Sequence, residues 1–117
     1  MLFVCYPKCS TCQKAKKYLD ERGGKYTIRD IKLENPTREE LSHWQAISGL
    51  ELRKLFNTSG MQYRALSLKD RLGQMSEDDM LDLLASDGML VKRPLLVMEE
   101  RVLVGFKEKE WEAALAE

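Results

Sequence analysis

The spacing of hydrophobic positions changes at a few points along the chain, and each change separates one predicted element from the next. Residues 2–6 are continuously apolar over the length of one strand, which is typical of a strand buried on both faces. Within residues 12–19 the apolar positions recur three and four residues apart, which predicts an amphipathic helix that Gly23-Gly24 ends. A second strand is predicted over 26–31. The three elements form a βαβ unit, whose crossover should be right-handed.

A long helical region follows, from about residue 35 to residue 92, and it contains no strand-like run. Thr37 and Glu40 form the capping-box signature of a helix N-terminus. The predicted elements of this region are a helix over 37–47, a short helical turn over 51–56, a loop over 57–60 and a helix over 76–87.

Strand-like runs return near the end of the sequence. Residues 94–98 and 101–104 are apolar and are separated by two glutamates, which predicts antiparallel strands joined by a tight turn. A final helix is predicted from about residue 107 to the end. The side chains that this helix should bury are Trp111, Ala114 and Leu115.

Together these elements predict one α/β domain over residues 1–117, in which a helical insertion over about 35–92 separates a βαβ unit from a ββα unit. The expected centre is a mixed four-stranded sheet flanked by helices. A chain of 117 residues suits one domain, and 44% hydrophobic with 32% charged residues is an ordinary globular composition.

The charge balance argues against several classes of partner. Lys+Arg and Asp+Glu each count 19, so the formal net charge is zero, without the basic excess of a protein that binds nucleic acid through its phosphates. No apolar run approaches the ~20 residues that a membrane span needs, and no signal peptide is recognisable. We therefore expect a cytoplasmic monomer that binds neither nucleic acid nor a membrane directly.

Three cysteines carry the candidate chemistry. Cys9 and Cys12 stand three residues apart at the start of the predicted first helix, close enough to form a disulfide. Cys5 lies within the first apolar run and is expected to pack as a small hydrophobic side chain. His43 is the only histidine and there is no second cysteine pair, so the sequence predicts neither a metal site nor a cofactor.

The two thiols of the Cys-x-x-Cys pair are predicted to differ. The helix N-terminus and Lys8 place positive potential at Cys9, which stabilises a thiolate and makes Cys9 the predicted nucleophile. Cys12 lies one turn deeper and should have the higher pKa, so it is the predicted resolving thiol that closes the Cys9–Cys12 disulfide. Ser10 and Thr11 are expected either to cap the helix by hydrogen bonding or to contact the sulfur or substrate.

Four further sequence features are found together. They are the segments 6–12 (YPKCSTC), 33–36 (LENP), 92–95 (KRPL) and 104–106 (VGF). With them the chain resembles, over essentially its whole length, the glutaredoxin-type arsenate reductases. That family has the thioredoxin-like fold and also contains the Spx transcriptional regulators.

The resemblance implies roles for residues that spacing alone does not single out. Pro94 is similar to the cis-proline that faces the active cysteine in thioredoxin-like proteins and whose backbone receives the substrate. Arg93 matches one of several arginines that hold the oxyanion in the arsenate reductases. The second arginine position falls at Asn57 and the third at Gly105, so the resemblance does not imply efficient arsenate turnover.

Arg64 and Lys8 are the two candidates to replace part of the missing positive charge. Asn57 lies in the predicted loop 57–60, and that loop has two interpretations. By its own composition it is only a turn, whereas by the resemblance it borders the active site.

Two function classes follow. The favoured one is a thiol-dependent oxidoreductase resembling the arsenate reductases, with Cys9 and Cys12 as its redox centre and thioredoxin or glutathione as the external reductant. The alternative is a redox-switched regulator of the Spx type, which binds the C-terminal domain of the RNA polymerase α subunit. The Spx branch typically runs on into a basic tail, whereas residues 108–117 are acidic, and this favours the oxidoreductase.

Overall fold

Strand β1 (Leu2–Cys5) is an inner strand and pairs with a neighbour on each side. One neighbour, β2 (Thr27–Asp30), is parallel, and the other, β3 (Leu95–Val97), is antiparallel. Strand β4 (Val102–Val104) pairs antiparallel with β3, so the order is β2-β1-β3-β4. This computed structural model describes residues 1–116 and confirms the predicted mixed four-stranded sheet flanked by helices.

Helices follow β1, connect β2 to β3 and follow β4. Within residues 1–116 they are α1 (Ser10–Glu21), α2 (Arg38–Ser48), α3 (Met61–Ala65), α4 (Leu68–Arg71), α5 (Glu77–Ser86) and α6 (Glu108–Leu115). Three short 3-10 turns cover Leu52–Leu55, Leu72–Gln74 and Gly88–Leu90. None of these described helices is long and apolar enough to cross a bilayer.

Each face of the sheet is covered by a different helical layer. Because alternate side chains of β1 point to opposite faces, they belong to different cores. Phe3 and Cys5 belong to a core that contains buried side chains of α1 and the fully buried Trp111 of α6. Val4 belongs to a second core, which is shared with buried side chains of the insertion such as Leu84. The sheet therefore divides the interior into two cores.

Trp111 anchors α6 to the sheet. Its ring meets Phe106 edge-on at a centroid distance of 4.9 Å and Phe3 at 6.4 Å. Its indole nitrogen donates a hydrogen bond of 3.1 Å to the Gly105 carbonyl, so the buried donor is satisfied. Ala114 and Leu115 are only half-buried, contrary to the prediction, and Leu115 borders a shallow surface groove.

The predicted capping box begins α2. The Thr37 hydroxyl accepts from the Glu40 amide at 3.1 Å, and the Glu40 carboxylate accepts from the Thr37 amide at 3.0 Å. That carboxylate also receives two hydrogen bonds from Arg29, at 2.6 and 2.9 Å. Because Arg29 lies on β2, this pair ties the insertion to the edge strand of the sheet.

The segment 61–74 folds into α3, α4 and a 3-10 turn, which the sequence analysis did not predict. The chain changes direction between the two helices at Ser67, which adopts a left-handed φ of 53°. Each of these elements is about one turn long, and a hydrophobic period cannot be recognised over so few residues.

Candidate active site

Cys9 stands at the junction between β1 and α1. Its amide donates to the Tyr6 carbonyl at 2.9 Å, and Cys9 then occupies the N-cap position of α1 with a half-exposed side chain. The expectation that Ser10 or Thr11 caps the helix is wrong, because Cys9 precedes both and no side chain caps this terminus. The free amides of this first turn place positive potential at Cys9, and those of Cys12 and Thr11 lower the pKa of its thiol.

The pKa of the Cys9 thiol reflects two opposing effects. Partial burial raises it, whereas the amide and thiol of Cys12, the Arg93 guanidinium and the Thr11 amide all stabilise the thiolate by hydrogen bonding and lower it. The hydrogen bonds outweigh the burial, and the pKa of Cys9 lies below the ordinary value of 9.0. An accessible thiol with a lowered pKa is a candidate nucleophile.

Cys12 lies one helical turn further along and is 2% exposed. Its sulfur accepts a hydrogen bond of 3.4 Å from the Tyr6 amide. Burial raises the pKa of Cys12 to about 12, assisted by the neighbouring Cys9 and Cys5, although the Tyr6 amide lowers it. As predicted, Cys12 is the deeper thiol with the higher pKa; all three cysteines are unpaired.

Arg93 faces the thiol from the residue pair that precedes β3. Its peptide bond to Pro94 is cis, as the resemblance implied. The guanidinium carbon lies 5.3 Å from the Tyr6 ring centroid, and Nη1 makes a long hydrogen bond of 3.5 Å to the Met89 carbonyl. The Arg93 Nε is buried and has no hydrogen-bond partner within the described chain, so the guanidinium keeps one unsatisfied donor beside the cleft that it lines.

A cleft of about 800 Å³ opens in front of Cys9. Its walls come from the first turn of α1, from Lys32 and from the segments 57–62, 87–93 and 104–107. The fold therefore assembles the site from parts of the chain that are far apart in sequence, and most of them belong to the insertion or to the end of β4.

Positive charge is concentrated in this cleft although the formal net charge of the chain is zero. The cationic lining residues are Lys32, Lys92, Arg93 and Lys107. Within residues 1–116 the one acidic residue that lines the cleft is Asp87, whose carboxylate accepts from the Met89 amide at 2.8 Å. A cleft with this excess of cations attracts anionic ligands.

Asn57 also lines the cleft, so the loop 57–60 borders the site as the resemblance implied. Its main-chain amide donates to the Leu90 carbonyl at 2.8 Å. Its side-chain amide packs closely over Gly60, where a Cβ would lie only 2.8 Å from the Asn57 Nδ2. Asn57 thus contributes a neutral amide where the resemblance placed a cationic residue.

The predicted site residues do not all meet in the cleft. Cys9, Thr11, Asn57 and Arg93 line it, whereas Cys12 and Pro94 are buried behind it. Lys8, Ser10 and Arg64 are exposed and are not among the residues that line it.

Arg64 and Lys8, the two candidates to replace the missing arginines, are not among the residues that line the cleft. The cations that line the cleft in addition to Arg93 are lysines for which the sequence predicts no role: Lys32, Lys92 and Lys107. Lys92 precedes Arg93-Pro94 directly, and that adjacency was the one available signal for it. Lys32 and Lys107 carry no comparable signal.

Arg93→Met is expected to raise the pKa of Cys9, because the variant lacks a donor that stabilises the thiolate. Only the thiolate is alkylated, so the pH profile for reaction with iodoacetamide should move to higher pH. The rate near pH 7 should fall by about threefold to tenfold. Peptide mass spectrometry assigns the alkylation to Cys9.

Arg101→Met is the matched control, because it removes the same charge from the exposed turn before β4. Its profile should coincide with that of the wild type. An unshifted profile in Arg93→Met would show that the guanidinium does not stabilise the Cys9 thiolate.

The fold and this site together define a class, the thioredoxin-like α/β proteins with a thiol at the β1–α1 junction and a cis-proline before β3. A family model described as the ArsC family matches residues 5–114, and the chain belongs to that family. It is 54% identical over 112 residues to the uncharacterized protein YusI of Bacillus subtilis (strain 168). The aligned residues cover 96% of this chain and 95% of YusI.

Solved structures support the same assignment. A putative ArsC family related protein from Bacteroides fragilis is 55% identical, with a TM-score of 0.94, over 96% of this chain and 94% of that one. A possible arsenate reductase from Streptococcus mutans UA159 is 49% identical, with a TM-score of 0.86, over 95% and 96%.

Regulatory proteins are also related to the chain. The global transcriptional regulator Spx of Staphylococcus saprophyticus is 27% identical over 104 residues, which cover 89% of this chain and 78% of the regulator. The chain is thus similar both to a protein named as a transcriptional regulator and to a protein named as a possible arsenate reductase.

Proposed function

We propose that this protein is a thiol–disulfide oxidoreductase, in which Cys9 is the nucleophile and Cys12 the resolving thiol. The observation that carries the proposal is the inequality of the two thiols. Cys9 is accessible and has a lowered pKa, whereas Cys12 is buried one turn away with a pKa of about 12. The excess of cations in the cleft favours a disulfide substrate that carries an anionic group.

In the first step, the Cys9 thiolate attacks one sulfur of the substrate disulfide. A bond forms between Cys9 and that sulfur, the substrate S–S bond breaks, and the other sulfur leaves as a thiolate that takes a proton from water. The Arg93 guanidinium, which lines the cleft and lowers the pKa of Cys9, stabilises the negative charge on the sulfurs during this transfer. Pro94 holds Arg93 in position, since its carbonyl accepts from the Gly105 amide at 2.8 Å.

In the second step, Cys12 loses its proton and its thiolate attacks the Cys9 sulfur. The Cys9–Cys12 bond forms, the mixed disulfide breaks, and the bound half of the substrate leaves as a thiolate that takes up a proton. Burial is the largest reason for the high pKa of Cys12, but the charge of Cys9 and a hydrogen bond to it also raise that pKa. Once Cys9 is part of a mixed disulfide it carries no charge, so the pKa of Cys12 falls at the stage where its thiolate is needed. The order of the two steps therefore follows from the coupling between the thiols.

The cycle closes with a two-electron reduction of the Cys9–Cys12 disulfide. The proposed donor is an external thiol of the thioredoxin or glutathione type, which is itself oxidised to a disulfide. No cofactor takes part in the proposed cycle.

Arsenate is not the substrate that we propose. The resemblance places three arginines around the oxyanion. At these three positions this chain has Arg93, the neutral amide of Asn57, and Gly105, which has no side chain. Each charge-assisted hydrogen bond contributes roughly 1.5–3 kcal/mol. Two missing contacts therefore argue against tight binding of a small tetrahedral oxyanion.

A coupled assay tests the proposal directly. The substrate is the mixed disulfide of glutathione and 2-mercaptoethanol, with thioredoxin, its reductase and NADPH as the reducing system. Wild type should reduce it, and Cys9→Ser should lose at least about a hundredfold in rate. Cys5→Ser is the matched control and should stay within about twofold of wild type, because Cys5 packs in β1. Equal rates in wild type and Cys9→Ser would refute the proposal.

A redox-switched regulator is the second candidate function. The observation in its favour is the 27% identity to a protein named as a global transcriptional regulator. A pull-down with the C-terminal domain of the RNA polymerase α subunit, in reducing and in oxidising buffer, tests it. Binding in one redox state alone would support the regulator, and no binding in either state would remove it.

A further inference from the structure

Lys92 occupies the space next to the backbone of Gly105 that a side chain at that position would enter. Gly105 has a φ of +76°, and a Cβ built there would lie 3.0 Å from Cε and 3.7 Å from Nζ of Lys92. The Gly105 backbone is fixed, because its amide donates to Pro94 and its carbonyl accepts from Trp111. Lys92 therefore lies across a rigid part of the cleft wall that has no side chain of its own.

The main chain of Lys92 is also held firmly. Its amide donates to the Leu55 carbonyl at 2.7 Å, and the preceding Val91 forms an antiparallel bridge with Phe56. The Lys92 ammonium, in contrast, forms no salt bridge within residues 1–116. The cleft thus contains an uncompensated cation on a fixed backbone, one residue before Arg93.

We propose that the Lys92 ammonium binds the anionic group of the substrate, in place of a cationic side chain at position 105. This inference rests on the proposed function and deepens it. Arg93 and Lys92 both line the cleft that contains Cys9: the Arg93 guanidinium stabilises the charge at the sulfur, and Lys92 contacts a different part of the same ligand. The substrate class is a disulfide that carries a carboxylate a few bonds from the reacting sulfur.

A lysine at this position binds anions differently from an arginine. An ammonium is a compact charge on a flexible stem, whereas a guanidinium is a planar fork that fits one geometry. Lys92 therefore selects for negative charge and tolerates different positions of that charge. This differs from the rigid arrangement that a tetrahedral oxyanion requires.

Two alkylating reagents separate anion binding from thiol reactivity. Iodoacetate and iodoacetamide both lose iodide to the Cys9 thiolate and form the same type of thioether, but only iodoacetate is anionic. The ratio of their second-order rate constants at one pH cancels the fraction of thiolate. It reports how strongly the cleft favours a carboxylate beside Cys9.

Lys92→Met should lower the iodoacetate to iodoacetamide ratio by about fivefold, the effect of one cation near the bound carboxylate. Lys92→Arg should keep the ratio within about twofold of wild type, because it keeps the charge. Lys14→Met, on the exposed face of α1 outside the cleft, is the matched control and should leave the ratio unchanged. About 0.5 M salt should lower the wild-type ratio towards that of Lys92→Met.

An unchanged ratio in Lys92→Met, or an equal fall in Lys92→Arg, would overturn the inference. Alkylation needs neither a disulfide substrate nor a reductant, so its outcome is independent of turnover. A wild-type protein that reduces no disulfide but keeps a ratio dependent on Lys92 would refute the proposed function and with it the disulfide substrate, while Lys92 would still be shown to bind an anion beside Cys9.

Discussion

Replacing Cys12 with serine is expected to stop the proposed cycle halfway, with one half of the substrate bound to Cys9 through a disulfide. A serine hydroxyl does not resolve a disulfide at neutral pH, and the remaining thiol, Cys5, is only 3% exposed. With thioredoxin as the reductant and no free glutathione, turnover should fall by at least about a hundredfold. Intact-mass spectrometry after one equivalent of the glutathione mixed disulfide should find the adduct on the protein.

Two variants serve as controls for this trapping experiment. Cys9→Ser should form no adduct, because it lacks the nucleophile, and Cys5→Ser should turn over without accumulating one. Full turnover in Cys12→Ser would assign the whole cycle to a single thiol and would remove the resolving role of Cys12.

Gly88→Ala is expected to destabilise the fold severely. A Cβ on Gly88 would lie 1.8 Å from the Ile31 carbonyl oxygen and 3.0 Å from the Asn35 Cβ, and the first of these is main chain that cannot rotate away. The free energy of unfolding should fall by about 3 kcal/mol or more, a large part of the stability of a domain of this size. A thermal melt followed by circular dichroism should move down by roughly 10 °C or more.

Gly73→Ala is the matched control for that melt. A Cβ at Gly73 meets nothing within 4 Å, and its φ is not in the left-handed region. Its free energy of unfolding should change by no more than about 0.5 kcal/mol. A Gly88→Ala melt as high as that of Gly73→Ala would show that the segment after β2 moves away from residue 88 without cost.

The sequence predicts the sheet and the thiol pair well because both depend on local signals. The apolar run of β1, the helical period of α1 and the capping box at Thr37 each extend over enough residues to be recognised. The unequal burial of Cys9 and Cys12 follows from their positions on one helix. The short helices within 61–74 escape prediction because a single turn has no measurable period.

The composition of the cleft was harder to predict than the thiols. Asn57 and Arg93 were assigned through the resemblance, and both line the cleft. The sequence does not predict the role of Lys92, because that role depends on Gly105, thirteen positions away. Gly105 has no side chain, and Lys92 occupies the space that one would fill. Lys8 is the neighbour of Cys9 in sequence, but it is exposed and does not line the cleft, because proximity along the chain does not determine which side chains share a cavity.

Because the interior is divided into two cores, the thiol chemistry of the site and its recognition of ligands can change independently in evolution. The sulfur chemistry resides on α1, which packs with α6 on one face of the sheet. The segments that hold Asn57 and Lys92 are attached to the other core, around residues such as Leu84. Substitutions in the insertion can therefore alter which molecules bind in the cleft while the thiol pair is unchanged. One redox fold can in this way evolve into proteins with different substrates or binding partners.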